Sequence, residues 1–192
     1  MMRMLIQCVA ERFTMPRIPY STVQTQSDET QSLLAKLAPL NILKMMANAP
    51  HLVRPFVDMG GAFLFSGLLD PIDREIAILR VGYLSDASYE TDQHEKIGRD
   101  IGMSEALIEA VKAGPAADGL TKHQSQLVSF VDDLVANVRA SDATFDPMLQ
   151  ALGPAATQEL TLVTGYYMMV CRFLETFDVE IEDGGAKGID LR

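Results

Sequence analysis

A long run near the C-terminus, LTLVTGYYMMVCRFLETF, constrains the fold more than any other part of the sequence. It follows Pro154, a residue suited to the first turn of a helix, and it is apolar on nearly every side. A helix of this kind must be covered by other elements. We therefore predict that this helix is central and that the remaining elements pack around it.

The rest of the chain carries repeated helix boundaries and almost no strand pattern. Asp70 followed by Pro71 is typical of a helix start. Gly60 and Gly61 fall inside a predicted helix and indicate a close helix crossing. Asn41 is predicted to be the N-cap of a helix, and further helices are predicted to begin at Pro50, Tyr89, Ser104, Thr121 (which forms a capping box with Gln124) and Asp146, the last ending at Gly153. The pattern predicts an all-α fold.

The length of 192 residues corresponds to one domain that can bury a core without metal or disulfide support. We assign residues 21–183 to a single helical domain and residues 184–192 to a mobile tail. Residues 1–20 are predicted to be a start-site extension followed by an N-terminal arm, with Met15 as the natural start. On this interpretation Cys8 has no part in function.

Charge and cysteine content exclude several classes of partner. A formal net charge of -10 is unsuited to binding nucleic acid phosphates. The two cysteines, Cys8 and Cys171, stand in no metal-ligand or redox spacing, which favours a reducing, cytoplasmic location. No apolar run has the length needed to cross a bilayer. We therefore expect a small-molecule substrate or another protein as partner, and neither nucleic acid nor membrane.

Glu90 and His94 are the first candidates for chemistry. Four residues apart on a predicted helix, they lie on the same face, where a carboxylate can orient an imidazole and raise its pKa. The alternative is an exposed pair of little consequence. Glu75, one helix earlier in an apolar segment, needs a partner if it is buried, and His94, Arg74 or Arg80 could provide it.

The stretch DREIAILRVGYLSDASYETDQHEKIGRDIGMS resembles the core helix pair of the carboxymuconolactone decarboxylase and alkylhydroperoxidase D (AhpD-like) superfamily. The peroxidase branch of that superfamily has a glutamate, two cysteines and a histidine at fixed spacing, and the corresponding residues here are Glu75, Ala87, Glu90 and His94. The segments MPRIPY, APHLVRPF and VTGYYMMVCRFLETFDVEIED also look like members without the redox pair. The resemblance implies an AhpD-like helical orthogonal bundle that assembles into trimers or hexamers.

The missing cysteines favour the decarboxylase branch of the superfamily, whose reaction requires neither thiol nor cofactor. Loss of carbon dioxide from an unsaturated lactone acid leaves an enolate-like species that an acid must protonate. We predict His94 as that proton donor, with Glu75 and Glu90 as the catalytic residues that hold it and set its pKa. Peroxide reduction would need a thiolate, which neither Ala87 nor Glu90 supplies.

Arg80, and after it Arg74, are the candidates to bind a substrate carboxylate, although either arginine could instead be paired with Glu75 inside the subunit. Tyr89 is a candidate for the wall of the substrate pocket. Tyr166 and Tyr167 could also line it or simply belong to the core. His123 is expected to be exposed, and His51 is assigned no role. We expect no metal, because the histidines show no ligand spacing.

Three hypotheses of function remain open. The first is a cofactor-free lyase or isomerase that acts on a small lactone or related carboxylic acid through His94, with a place in the catabolism of aromatic compounds. The second is a thiol-dependent peroxidase of the same fold, which the missing cysteine pair disfavours. The third is an oligomer that binds a ligand without catalysis. The fold alone does not name a substrate.

Overall fold

The structure is a computed structural model that describes residues 15–22, 24 and 26–182. Cys8 and the tail 184–192 lie outside the described residues, as does the part of the predicted start-site extension before Met15. Eight helices and no strand occur within the described part of the chain. The helices are α1 (Asp28–Leu34), α2 (Asn41–Met46), α3 (Pro50–Phe65), α4 (Pro71–Leu84), α5 (Ser88–Asp100), α6 (Glu105–Ala113), α7 (Lys122–Asn137) and α8 (Asp142–Phe177). The all-α prediction is confirmed.

Local capping signals predicted the starts of α4 and α7 correctly. The Asp70 carboxylate accepts a hydrogen bond from the Ile72 backbone N–H, and Pro71 occupies the first helical position. At α7 both bonds of the capping box are present, since the Thr121 hydroxyl and the Gln124 side chain each accept a backbone N–H of the other residue. These groups satisfy donors that a helix N-terminus otherwise leaves free.

The start of α8 is one turn earlier than predicted. The helix begins at Asp142 and runs to Phe177, with a break at Gly153, whose φ of 73° and ψ of 171° are not helical. The Asp133 carboxylate of α7 accepts hydrogen bonds from the backbone N–H and the hydroxyl of Ser141, both at 2.7 Å. Helix α8 therefore begins where Asp133 of the preceding helix binds Ser141. The residues next to Ser141 in the sequence give no indication of this contact.

The core is arranged around α4 and the second half of α8. Ile76, Ile78 and Leu79 of α4 are fully buried, as are Leu160 and Val163 of α8. Helix α4 packs against α5, α6, α7 and α8, so it lies inside the bundle with its charged residues. The predicted central position of the C-terminal apolar helix is confirmed, and α4 shares it.

No helix among the described residues is long and apolar enough to cross a membrane. The last described segment returns to the start of α2. The Asn41 backbone N–H donates to Glu182 Oε1 at 2.5 Å, and the Asn41 side chain donates to the Glu180 carbonyl at 2.9 Å. Asn41 is consequently the first residue of α2 rather than its predicted N-cap, and Glu182 takes over the capping role.

The Gly60–Gly61 pair confirms the predicted helix crossing at one of its two positions. A Cβ atom on Gly60 would lie 2.9 Å from the Tyr166 hydroxyl oxygen, which donates to the Phe56 carbonyl at 2.8 Å. A Cβ on Gly61 would meet only Phe65 of the same helix, at 3.8 Å. The close approach of α3 to α8 therefore depends on Gly60.

We expect Gly61→Ala to raise the free energy of unfolding by about 0.5–1 kcal/mol, because alanine is the better helix former. In Gly60→Ala the same gain is opposed by displacement of Tyr166, so the protein should be less stable than Gly61→Ala by about 1–2 kcal/mol. Urea unfolding of both variants beside the wild type measures this. Equal stabilisation by the two substitutions would contradict the tight contact at Gly60.

Candidate active site

Helices α4 and α5 bring the predicted catalytic residues together. Glu75 lies on α4, and Glu90 and His94 lie one turn apart on α5. The two helices approach closely at Gly82, where a Cβ atom would lie 2.9 Å from the Thr91 side chain. The short connection between α4 and α5 and this close contact fix the distance between the carboxylates and the imidazole.

Both nitrogens of the His94 ring face a carboxylate. His94 Nδ1 lies 2.7 Å from Glu75 Oε2, and Nε2 lies 3.1 Å from Glu90 Oε1. The second oxygen of Glu75 accepts a hydrogen bond from Arg74 Nε at 3.0 Å. The Tyr167 ring also packs against the imidazole edge to face, with 5.0 Å between the two ring centroids. The ring is therefore held in one orientation by an ordered chain from Arg74 to Glu90.

Electrostatics favour the charged form of His94. Burial alone would lower the pKa of His94, but the charges of Glu75 and Glu90, and their proximity to the ring nitrogens, raise it to about 10. Two formal positive charges, on Arg74 and His94, face two formal negative charges on the glutamates. At neutral pH the imidazolium is thus the resident form, with one N–H donated to Glu75 and a second proton at Nε2.

The Glu90 carboxylate is less well satisfied than that of Glu75. Although Glu90 Oε1 lies 3.1 Å from His94 Nε2, the two groups are not aligned as a hydrogen bond. The ion pair with the imidazolium is therefore the one polar contact of Glu90 Oε1 within the described residues. Glu90 depends on the imidazolium more than Glu75 does, because Glu75 also binds Arg74.

Glu90 and His94 form part of the wall of a cavity of about 200 Å³. Its walls come from the segment before α2 and from α2, α3, α5 and α8. The polar lining residues are Tyr89, Glu90, Gln93, His94, Tyr166 and Tyr167, and the apolar ones include Leu40, Ile42, Phe56, Val57, Leu64 and Ile97. Such an apolar cavity with a few convergent polar groups has the character of a small-molecule site.

The structure does not bring the predicted substrate-binding arginines to this cavity. Arg80 makes two hydrogen bonds with the Asp132 carboxylate, at 2.5 and 2.9 Å, and it donates to the carbonyls of Val111 and Lys112. Arg74 is paired with Glu75. Both guanidinium groups are buried and engaged by protein acceptors, because an arginine on a central helix must be satisfied inside the bundle. We therefore do not assign them to substrate.

Tyr89 does line the cavity, and its hydroxyl donates to Glu182 Oε1 at 2.6 Å. Gln93, which the sequence analysis did not single out, also lines the cavity and donates to Glu182 Oε2 at 2.9 Å. Its position three residues after Glu90 places it on the same helix face and could have identified it. Glu182 could not be identified in this way, because it is remote in sequence.

The other histidines lie elsewhere. His51 is exposed. His123 is half-buried rather than exposed as predicted, since its Nε2 lies 2.6 Å from the Asp73 carboxylate of α4. Cys171 is buried in the core, and burial raises the pKa of its thiol to about 12, so it is not a thiolate at neutral pH.

Glu75, Glu90 and His94 do not converge on a common point, because the carboxylates face opposite nitrogens of the ring. Within the described residues, no group of three or more histidine, cysteine, aspartate or glutamate side chains is arranged to hold a metal ion. The arrangement is instead that of a proton relay. Glu75, paired with Arg74, binds Nδ1 of the imidazole, and Glu90 lies next to Nε2.

Residues 50–133 match the model of the carboxymuconolactone decarboxylase family. This segment covers α3 to the middle of α7 and contains Glu75, Glu90 and His94. No curated protein sequence gives a significant match.

Solved structures with low sequence identity share the fold. An uncharacterized peroxidase-related protein from Silicibacter sp. TM1040 superposes with a TM-score of 0.74 at 19% identity, covering 94% of this chain and 100% of its own. An uncharacterized peroxidase-related protein from Ralstonia eutropha JMP134, described as an alkylhydroperoxidase AhpD core, gives 0.72 at 18% identity, covering 88% and 93%. The putative antioxidant defence protein AhpD from Agrobacterium tumefaciens gives 0.65 at 19% identity, covering 70% and 92%. The predicted AhpD-like bundle is confirmed.

The charge on His94 makes stability depend on pH. Because the folded-state pKa of about 10 lies above the unfolded value of about 6.5, the stabilisation is complete below pH 6.5 and is lost as pH rises through 10. We expect the free energy of unfolding to fall by a few kcal/mol between pH 7 and pH 10. Urea unfolding at several pH values measures this fall.

Other groups also titrate in this range, so the contribution of His94 is the difference between wild type and His94→Gln. The variant should show a clearly shallower fall. His51→Gln, which removes an exposed histidine, should keep the wild-type slope. Equal slopes in wild type and His94→Gln would contradict a charged His94.

Proposed function

We propose that this chain, which belongs to the AhpD-like superfamily, is a cofactor-free lyase or isomerase that acts on a small lactone or related carboxylic acid. His94 serves as the proton donor and acceptor. The observation that carries the proposal is the His94 imidazolium at the wall of an apolar cavity, held between two carboxylates. Decarboxylation is the first candidate reaction, because the family model matches the segment that contains this site.

In the proposed reaction the enzyme protonates carbon. When an unsaturated lactone acid loses carbon dioxide, the carbon–carbon bond breaks and its electron pair passes into the conjugated lactone carbonyl as an enolate. The Nε2 proton of His94 then moves to carbon, which leaves a neutral imidazole that regains a proton from water. In an isomerisation the imidazolium instead gives its proton to one carbon, and the neutral imidazole that results removes a proton from another.

Glu75 and Arg74 would act behind the imidazole as positioning residues. The Glu75 carboxylate keeps Nδ1 protonated and so directs the exchangeable proton to Nε2. An imidazolium with a raised pKa is a weak acid, and it is therefore suited to a strongly basic acceptor such as an enolate rather than to an ordinary oxygen base. Because the surroundings of the site have low polarity, the attraction between Glu75 and the His94 imidazolium is stronger there, and the enolate is more basic.

Thiol-dependent peroxidase activity is the alternative suggested by the solved relatives, of which two are described as peroxidase-related and one as a putative antioxidant defence protein. Against it, alanine and glutamate stand at positions 87 and 90, and the Cys171 thiol is buried with a raised pKa. Turnover of an organic hydroperoxide with a dithiol reductant would favour this alternative over the lyase.

The lyase proposal is tested by proton NMR of the protein in deuterated buffer with small lactones, with and without a carboxyl group, including γ-carboxymuconolactone. We expect loss of the carboxyl group, or exchange at carbon, with deuterium delivered to that carbon. His94→Gln should lower the rate by roughly 10²–10⁴-fold, because it removes the general acid. His51→Gln is the matched control and should keep the wild-type rate.

The variants separate catalysis from background reaction. A reaction of equal rate in wild type and His94→Gln would exclude His94 as the proton donor. If no lactone changes while ligands still bind, the result would contradict the lyase and favour the non-catalytic binding protein.

The proposal includes assembly into a homo-oligomer, a trimer or hexamer. Leu52 and Met59 are exposed and seven residues apart on α3, and Leu162 and Met169 show the same pattern on α8. Residues at this spacing lie on one face of a helix. Two exposed apolar helix faces in one molecule support an interface with further copies of the chain.

We expect light scattering at micromolar concentration to give a mass of three or more chains. The double variant Leu162→Glu with Met169→Glu should shift the mass toward the monomer, because burial of an unpaired carboxylate opposes association. Val138→Glu, which adds a charge at another exposed apolar residue, is the control and should leave the mass unchanged. A monomeric wild type would contradict the oligomer.

A further inference from the structure

Tyr167 carries a hydroxyl group that makes no hydrogen bond within the described residues, unlike the other four tyrosines, which are Tyr20, Tyr83, Tyr89 and Tyr166. Tyr167 is only 4% exposed. Its hydroxyl oxygen nevertheless keeps some accessible surface, because no inaccessible tyrosine oxygen lacks a hydrogen bond in the described part of the chain. Since Tyr167 lines the cavity, we assign that surface to the cavity.

Aromatic contacts on two sides hold the Tyr167 ring in place. The ring meets the His94 imidazole edge to face, with 5.0 Å between centroids, and it meets the Tyr166 ring in the same manner at 5.3 Å. Tyr166 is itself fixed by the hydrogen bond that its hydroxyl donates to the Phe56 carbonyl at 2.8 Å. The Tyr167 hydroxyl is therefore held on a preorganised ring next to the proposed proton donor.

The other polar groups of the cavity wall already have protein partners. The Tyr89 hydroxyl and the Gln93 amide donate to Glu182, and His94 faces two carboxylates. Of the hydroxyl groups that line the cavity, that of Tyr167 is the one left free among the described residues. A ligand can accept a hydrogen bond from it without breaking any contact within the protein.

The proposed decarboxylation requires a donor of this kind. When the carboxyl group leaves as carbon dioxide, the electron pair of the broken carbon–carbon bond passes through the conjugated ring to the lactone carbonyl oxygen. No described lysine or arginine lines the cavity to meet the charge that develops there, and the His94 imidazolium is already paired with carboxylates. An enolate oxygen without a donor would be strongly destabilised in such an apolar cavity.

The Tyr167 hydroxyl keeps its proton at neutral pH. Burial, followed by the charges of Glu90 and Glu75, raises the pKa of Tyr167 well above its usual value. The protonated hydroxyl can donate a hydrogen bond to an enolate oxygen, and transfer of a proton to carbon is left to His94.

We infer that Tyr167 is a further catalytic residue, whose hydroxyl donates a hydrogen bond to the carbonyl oxygen of a lactone bound in the cavity. This inference rests on the proposed function, because it assigns the group that stabilises the enolate oxygen of that reaction. The substrate keeps its carboxyl group until the carbon–carbon bond breaks. Tyr167 then stabilises the oxygen, and the Nε2 proton of His94 moves to carbon.

Infrared spectroscopy of butenolide, a small unsaturated lactone, bound to the full chain tests the contact without any need for turnover. We expect the carbonyl stretch of the bound lactone to lie at a lower frequency in the wild type than in Tyr167→Phe, because a hydrogen bond weakens the carbonyl double bond. The affinity of the variant should be roughly two- to tenfold lower. Tyr83→Phe removes a hydroxyl that donates to Glu95 away from the cavity and should keep the wild-type frequency.

The inference is overturned if butenolide does not bind to the wild type, or if its carbonyl frequency is the same in the wild type and in Tyr167→Phe. Urea unfolding provides a second check. Tyr167→Phe should unfold at no lower urea concentration than the wild type, since the hydroxyl it loses has no partner, whereas Tyr166→Phe gives up the bond to Phe56 and should unfold at a lower one. Equal destabilisation by both substitutions would contradict a free hydroxyl at Tyr167.

Turnover separates this inference from the proposed function. For a lactone acid that reacts, Tyr167→Phe should lower kcat by roughly 10²–10³-fold with a much smaller change in KM, because the oxygen becomes charged only in the transition state. A frequency shift without reaction of any lactone would contradict the lyase and support the donor role of Tyr167. Reaction of lactones with neither rate nor frequency dependent on the Tyr167 hydroxyl would support the lyase and overturn the inference.

Discussion

The hydrogen bond between Glu75 and His94 is the interaction on which the rest of the site depends. Glu75 is completely buried on a central helix, where an unpaired carboxylate would be strongly destabilising. His94 and Arg74 together provide the positive charge that makes its burial tolerable. The same bond joins α4 to α5 and orients the imidazole so that its second nitrogen lies beside Glu90. The contact that stabilises the buried Glu75 is therefore also the one on which the proposed proton transfer would depend.

The position of the site follows from how the helices pack around α4. Because α4 is covered by four other helices, its carboxylate lies in a region from which water is excluded. Two glycines permit the close approaches that shape the region, Gly82 between α4 and α5 and Gly60 between α3 and α8. The cavity is the space that remains on the far side of α5, bounded by α2 and α3. The cluster of Glu75, Glu90 and His94 and the cavity beside it are thus consequences of the same packing.

Features determined by short-range spacing could be predicted from the sequence. The helix starts at Asp70 and Thr121, and the shared face of Glu90 and His94, each depend on residues within one helical turn. Contacts between distant residues could not be predicted. Arg80 meets Asp132 on another helix, and Glu182 reaches Tyr89 and Gln93 from the end of the described chain. These pairings depend on how whole helices are placed, which local propensity does not determine.

The two arginines show why residue type alone misdirects assignment of a substrate site. Each was a reasonable counter-charge for a carboxylate, yet a guanidinium on a central helix must first satisfy its own donors, and protein acceptors are nearer than any ligand. Once Arg74 and Arg80 are paired within the protein, the one basic residue that lines the cavity is His94, which lies between Glu75 and Glu90. The cavity wall therefore contains a single cation, which two carboxylates already face. A charged group on the ligand would thus be met by His94 and Glu90 together, and by neither arginine.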